Sequence, residues 1–155
     1  MRIALFEPEI AGNVGTVLRL AACLGAAVDL IEPMGFVWND RRVRRAAMDY
    51  IDHVEIARHA GFEAFRETTG SSRLVLFTTK STRSAYDFRF HAGDVLLFGK
   101  ESAGVPPEVS SACDALVRIP LRPQVRSLNL ATSAALALGE AMRQTATLPE
   151  LAAEA

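Results

Sequence analysis

The chain has 155 residues, of which half are hydrophobic and 23% charged, with a net charge of −1; this is the profile of one globular domain, residues 1–155, with a sizeable core. No apolar run reaches the roughly 18 residues that a membrane-spanning helix needs, and the near-zero net charge excludes a generally basic nucleic-acid binder, so contact with a polyanion must come from local clustering. Cys23 and Cys113 are far apart, and His53, His59 and His91 add no metal-ligand spacing, so neither a disulfide framework nor a metal site is expected.

Short apolar runs alternate with segments of helical periodicity, which predicts an α/β domain with a mostly parallel sheet flanked by helices. The opening MRIALFEPEI is interrupted by Glu7 and Pro8. It lacks the longer apolar region and cleavage site of a signal peptide, so residues 3–6 read as a first strand and the cytoplasm as the default location. From 13 to 24, Val14, Val17, Leu18, Ala21, Ala22 and Leu24 recur at helical spacing, with Asn13 as a candidate cap and Gly25 as a terminator. Cys23, within LRLAACLG, reads as a buried free thiol. Residues 27–31 form a second expected strand, closed by Pro33 and Gly35.

Residues 40–48 follow as a basic segment that could be a short helix capped by Asp40. A short strand is expected at 54–56 and a helix near 62–68. The runs LVLFTT at 74–79 and VLLF at 95–98 look like buried parallel strands, being short, apolar and β-rich. Residues 99–104 read as a loop, 106–112 as a short helix opened by proline, and 116–119 as another strand. A long alanine-rich helix is expected from 130 to 144, with Ser127 and Asn129 as candidate caps, and residues 148–155 are expected to fray.

Three segments just beyond strand ends carry the chemistry, since ligands of open α/β sheets bind in the crevice at the carboxyl ends of the strands. The first is EPEIAGNVGTVLR at 7–19, with glycines for a tight turn, Asn13 within it and Arg19 on the following helix. It matches neither the dinucleotide-binding nor the P-loop glycine pattern. The second, LLFGKESAGVP at 96–106, runs from a buried strand through Gly99, Glu101 and Gly104; its backbone can hydrogen-bond an adenosine, and Gly99 has no Cβ to hinder approach. The third is RIPLRPQVRSLNLATSAALAL at 118–138, a proline-stiffened loop leading to Ser127 and Asn129. Each is weak alone, but their order along one chain is specific.

In that order the three segments resemble the motifs of the SPOUT superfamily of knotted RNA methyltransferases, over residues 3 to about 144. Finer phrases resemble its small TrmL-like branch: LFEPEI at 5–10, IEPMGFVWNDRRVRRA at 31–46, DY at 49–50, LFTTK at 76–80, FGKESAGVP at 98–106 and RSLNL at 126–130. The branch is similar in function to tRNA 2′-O-methyltransferases acting on the wobble nucleotide, a cytidine or modified uridine. The resemblance implies a C-terminal trefoil knot over about 74–145, S-adenosylmethionine as cofactor, tRNA as substrate and a homodimer, with no membrane and no metal. Carried over position by position, it implies a cofactor pocket of Phe77, Thr78, Gly99, Glu101, Gly104, Ile119, Leu121, Ser127, Leu128 and Asn129. Arg19, with Asn13 nearby, would face the acceptor ribose, across the dimer interface. Two features depart from the branch: Ala11-Gly12 stands where prolines are common, and Gly139 replaces an aromatic before Glu140.

Arginine suits bidentate phosphate contact and stacking on bases, and the tightest basic cluster is Arg41, Arg42, Arg44 and Arg45. These four, with Arg19 and Arg126, are the candidate RNA contacts; Trp38 beside them is a candidate for stacking on a splayed nucleotide, with core packing the favoured role. A guanidinium is too weak an acid to give up its proton, so Arg19 is assigned to stabilising the ribose oxygen as it turns partly alkoxide. The alternatives are the same chemistry at another tRNA or rRNA site, a non-catalytic RNA-binding homologue, and a small-molecule-binding domain unrelated to RNA.

Overall fold

The computed structural model describes residues 1–39 and 50–151. In it the apolar runs become six strands: β1 (Arg2–Phe6), β2 (Ala27–Ile31), β3 (Ile56–His59), β4 (Leu74–Phe77), β5 (Val95–Phe98) and β6 (Ala115–Val117). They form one sheet in the order β3-β2-β1-β5-β4-β6, and every pairing is parallel. All four residues of β4 and of β5 are buried, as a parallel strand covered on both faces requires. Among the described residues the α-helices are α1 (Ala11–Leu24), α2 (Phe62–Thr69), α3 (Pro107–Ser111) and α4 (Leu130–Thr145).

Side-chain alternation sorts the strands' residues onto two cores. Ile3, Leu5, Val28, Leu30, Val75, Phe77, Leu96 and Phe98 point to one face and pack with Val14, Val17 and Leu18 of α1 and Ala134, Ala137 and Leu138 of α4. Ala4, Phe6, Ile31, Leu74, Leu76, Val95 and Leu97 point to the other and pack with Phe65 of α2 and Val109 of α3. Asp29 is fully buried on that second face, where it accepts hydrogen bonds from Arg2 Nε at 2.7 Å and Arg2 Nη2 at 3.1 Å and lies 2.8 Å from His59 Nε2. A buried carboxylate is tolerated because it is paired.

Local signals place several boundaries as expected. Gly25 takes a left-handed conformation (φ 70°) and its N–H donates to the carbonyl of Ala21, ending α1. Asn129 caps α4, its side-chain oxygen accepting from the N–H groups of Ala131 and Thr132.

Other expectations are corrected. Helix α1 starts at Ala11 behind Ile10, which makes no side-chain cap bond, so Asn13 lies inside the helix and its carboxamide serves distant partners. Ser127 caps nothing, because the first turn of α4 is satisfied by Asn129. Strand β3 spans Ile56–His59 rather than 54–56, fixed by its register against Val28–Ile31 of β2. Strand β4 stops at Phe77, where Thr78 starts a turn through its hydroxyl, which accepts from Lys80 N at 3.2 Å. Strand β6 spans Ala115–Val117 and continues only as a bridge between Arg118 and Ser84. Helix α3 is trimmed to Pro107–Ser111, with Pro106 at its N-cap. Cys23 is exposed: the buried stripe of α1 runs through Val14, Val17, Leu18 and Ala21, and a residue two beyond Ala21 points the opposite way. The expected helix at 40–48 lies outside the described residues.

All six strands end at one rim. After β3 the chain crosses to the other side of β1, and β5 inserts between β1 and β4. The carboxyl ends of β5, β4 and β6 thus open onto a common crevice, the place where a doubly wound sheet takes its ligand.

Candidate functional site

A cavity of about 750 Å³ occupies that crevice, within the range of small-molecule sites. Its walls come from the ends of β4, β5 and β6, the loop at 99–104, and the long segment at 118–129 that leads into α4. Phe77, Thr78, Gly99, Glu101, Gly104, Ile119, Leu121, Ser127, Leu128 and Asn129 all line it, and so do Asn13 and Arg126. Phe77 does so from within the core: its ring stacks 5.0 Å from Phe98 and 6.2 Å from Phe90, leaving its backbone for the cavity.

The loop after β5 folds back on itself. Lys100 and Gly104 exchange backbone hydrogen bonds at 3.0 and 2.9 Å, and Gly104 has φ +72°, a conformation that favours glycine. A Cβ on Gly99 would lie 2.4 Å from the carbonyl carbon of Gly104, so only glycine fits there.

A relay of side chains joins this loop to both ends of the chain. Glu101 Oε2 accepts from Glu9 N at 2.9 Å, and its Oε1 accepts from Asn13 Nδ2 at 3.0 Å. The other end of Asn13 accepts from Asn129 Nδ2 at 2.9 Å, and Asn129 Oδ1 in turn caps α4. Asn13, Glu101 and Asn129, one from each sequence segment, therefore form a single hydrogen-bonded line.

A second clasp runs parallel to it. Glu9 accepts from Ser102 N and Ser102 Oγ, both at 2.8 Å. These bonds, led by the one from the backbone N–H, hold the Glu9 carboxyl below its usual range. Lys100 Nζ pairs with Glu7 Oε2, which raises the lysine above its usual value. Glu7 itself adopts φ 44°, a strained left-handed conformation for a side-chain-bearing residue. Neither Glu9 nor Ser102 was singled out by sequence; the two are 93 residues apart, and no local spacing connects them.

Arg19 is placed differently from Asn13. It lies six residues further along α1, about 9 Å at the helical rise, and is absent from the cavity lining. Its guanidinium sits 5.4 Å from the ring centre of Tyr50. Arg126 is at the exposed edge of the cavity. Arg41, Arg42, Arg44 and Arg45 lie outside the described residues. Trp38 packs against the core beneath Arg58, whose guanidinium is 5.3 Å from the indole ring.

The lining contains neither histidine nor cysteine, and Glu101 has both oxygens engaged. Apolar walls, bare backbone at strand ends and one tight glycine pair suit a flat heteroaromatic ligand held by backbone groups. The cavity is built to bind and orient.

The SpoU rRNA Methylase family matches residues 1–139. A tRNA (cytidine(34)-2′-O)-methyltransferase of Beijerinckia indica subsp. indica is 51% identical over 151 residues, covering 96% of this chain and 94% of that one. A solved structure described as "Structural insights into the 2-OH methylation of C/U34 on tRNA" is 42% identical with a TM-score of 0.87, covering 92% of this chain and 94% of that one. An AdoMet-bound rRNA methyltransferase from Sinorhizobium meliloti is 30% identical with a TM-score of 0.83, covering 92% of this chain but 55% of its own.

Proposed function

The chain belongs to the SpoU rRNA Methylase family, and from that premise we propose that it transfers a methyl group from S-adenosylmethionine to the ribose 2′-hydroxyl of the wobble nucleotide of tRNA. The observation that carries this reading is near full-length identity of 51% to a tRNA (cytidine(34)-2′-O)-methyltransferase, joined to a cavity that all three motif segments line. The related rRNA enzyme is about twice as long as the matched region, so the tRNA reading is preferred over an rRNA site.

The cavity's residues fit the donor. Gly99 packs against the backbone of Gly104 and so fixes the loop that edges the cavity, Ile119, Leu121 and Leu128 supply apolar walls, and the backbone of Phe77 and Thr78 lies at the strand ends. Bound S-adenosylmethionine supplies a sulfonium methyl that is already a strong electrophile. The protein's work is alignment, for which intramolecular reactions suggest a ceiling of about 7–11 kcal/mol, and control of charge on the ribose oxygen. Glu101, Asn13 and Asn129 fix the loops around the donor. The Arg19 guanidinium stabilises the developing negative oxygen. Because Arg19 stands outside its own protomer's cavity, the acceptor half of the site is assigned to a second copy in a homodimer.

A trefoil knot in the C-terminal half is part of the same reading. Its support is the late insertion of β5 between β1 and β4 and the return of α4 to pack on α1. With tRNA as substrate, the protein is assigned to the cytoplasm. Arg126 and the cluster at 41–45 are assigned to the RNA backbone, where contacts give salt-dependent affinity without base choice.

The test is to map 2′-O-methyl groups in tRNA and rRNA from cells with and without this protein. Loss confined to nucleotide 34 of tRNA is the expected result; loss at an rRNA site, or no loss in tRNA, overturns the proposal.

A further inference from the structure

Resting on the reading of the cavity as a methyl-donor site, we propose that Arg118 is a further binding residue, whose guanidinium receives the carboxylate of the donor's amino-acid tail. Among the described residues Arg2, Arg66, Arg73 and Arg118 are the half-buried arginines. The fold supplies acceptors for three of them. Arg2 donates to Asp29 and Glu55, Arg73 to Asp94, and Arg66 to the carbonyl of Ser72. The Nε of Arg118 is buried with no hydrogen-bond partner, and no ion pair joins its side chain to a described residue.

Partly desolvating a guanidinium without an anion is unfavourable, and the backbone of Arg118 is held where that cost arises. Its N–H donates to the carbonyl of Arg83 at 2.8 Å and its carbonyl accepts from Ala85 N at 2.8 Å. One residue earlier, the carbonyl of Val117 takes the N–H of Thr78 at 2.9 Å. Arg118 therefore stands beside Thr78 at the ends of β6 and β4, and both line the cavity.

The charge balance of the lining points to an anion. Lys80, Lys100, Arg118 and Arg126 face a single carboxylate, Glu101, whose oxygens are taken by Glu9 N and Asn13. Lys100 is neutralised by Glu7. Thr78, Thr79, Ser110 and Ser111 add hydroxyl groups but no acid. A planar guanidinium takes a carboxylate through paired charge-assisted hydrogen bonds. The other anion handled here is an RNA phosphate, which suits the exposed Arg122 and Arg126 better than a half-buried side chain on a fixed backbone.

Calorimetry without RNA tests this with two ligands, S-adenosylmethionine and its decarboxylated analogue, on wild type and Arg118→Met. Wild type is expected to bind the carboxylate-bearing ligand at least about tenfold more tightly, the scale of a charge-assisted hydrogen bond. Arg118→Met is expected to lose that preference while its affinity for the decarboxylated analogue stays within about threefold. Arg118→Lys is expected to restore part of the preference. Equal wild-type affinity for both ligands overturns the assignment without use of any variant and leaves the donor-site reading intact. So does an unchanged preference in Arg118→Met. Failure of wild type to bind either ligand overturns the donor-site reading itself, and this proposal with it.

Discussion

Asn13 and Asn129 are joined by a 2.9 Å hydrogen bond across 116 residues of chain. One sits in the first turns of α1 and the other caps α4, so the bond ties the start of the molecule to its last helix at the cavity wall. The same Asn13 holds Glu101.

Removing that link loosens two loops together. Asn13→Ala strands one oxygen of Glu101 and one N–H of Asn129, and a bond to a charged group is worth about 1.5–3 kcal/mol. Donor affinity measured by calorimetry should fall roughly ten- to hundredfold. Asn13→Asp should be worse than alanine, because it sets a second carboxylate against Glu101. An aspartate variant that binds as tightly as wild type refutes the relay.

The glycine pair at the cavity gives a contrast between two alanine substitutions. At Gly99 a Cβ meets backbone of Gly104 at 2.4 Å, and overpacking of this kind costs about 1–3 kcal/mol. Gly99→Ala should lower the melting temperature and abolish donor binding. At Gly12, inside α1, nothing lies within 4 Å of the added methyl, and Gly12→Ala should stabilise by about 0.4–1 kcal/mol. Thermal melts of the two variants in opposite directions are the expected result.

Arg19→Ala should slow single-turnover methyl transfer at least about a hundredfold, as loss of one oxyanion donor does, with donor affinity nearly unchanged. Mixed dimers of Arg19→Ala and Asn129→Ala protomers should regain activity that neither variant shows alone, since one of the two composite sites is then intact. Inactive mixed dimers argue against a site built from two copies.

Glu140 supplies a pH dependence. Its carboxylate accepts from Arg143 Nε at 2.8 Å, Arg143 Nη2 at 2.9 Å and Gln144 Nε2 at 2.7 Å, which lowers its pKa to about 2. A carboxyl depressed on folding stabilises fully above its ordinary range, and that stabilisation is lost as pH falls from there toward about 2. Glu140→Gln should therefore narrow the stability difference between neutral and acidic solution. Parallel melting curves of the two proteins across that interval contradict this.

Gly25 and Asn129 were legible in the sequence because a terminator and a cap act on neighbours a few residues away. The strands at 27–31 and 95–98 were legible for a similar reason, since a short apolar run between turn residues has few other fates. Asn13 was misread as a cap because its partners are 88 and 116 residues distant and nothing nearby announces them. Cys23 was misread because an apolar stretch does not tell which side of the helix faces the sheet. All ten residues expected around the cofactor line one cavity, whereas the clasp of Glu9 with Ser102 and the half-buried Arg118 depend on tertiary proximity alone.

The position of β5 has a consequence for synthesis. The edge of β1 that β5 covers in the finished sheet has no partner while the ribosome is still making the first ninety or so residues. The nascent β1-β2-β3 unit thus carries an open hydrophobic edge, the kind of surface that recruits other chains. Pairing across such sequence distance is intrinsically slow, so that edge waits, uncovered, for residues 95–98 to emerge and close it.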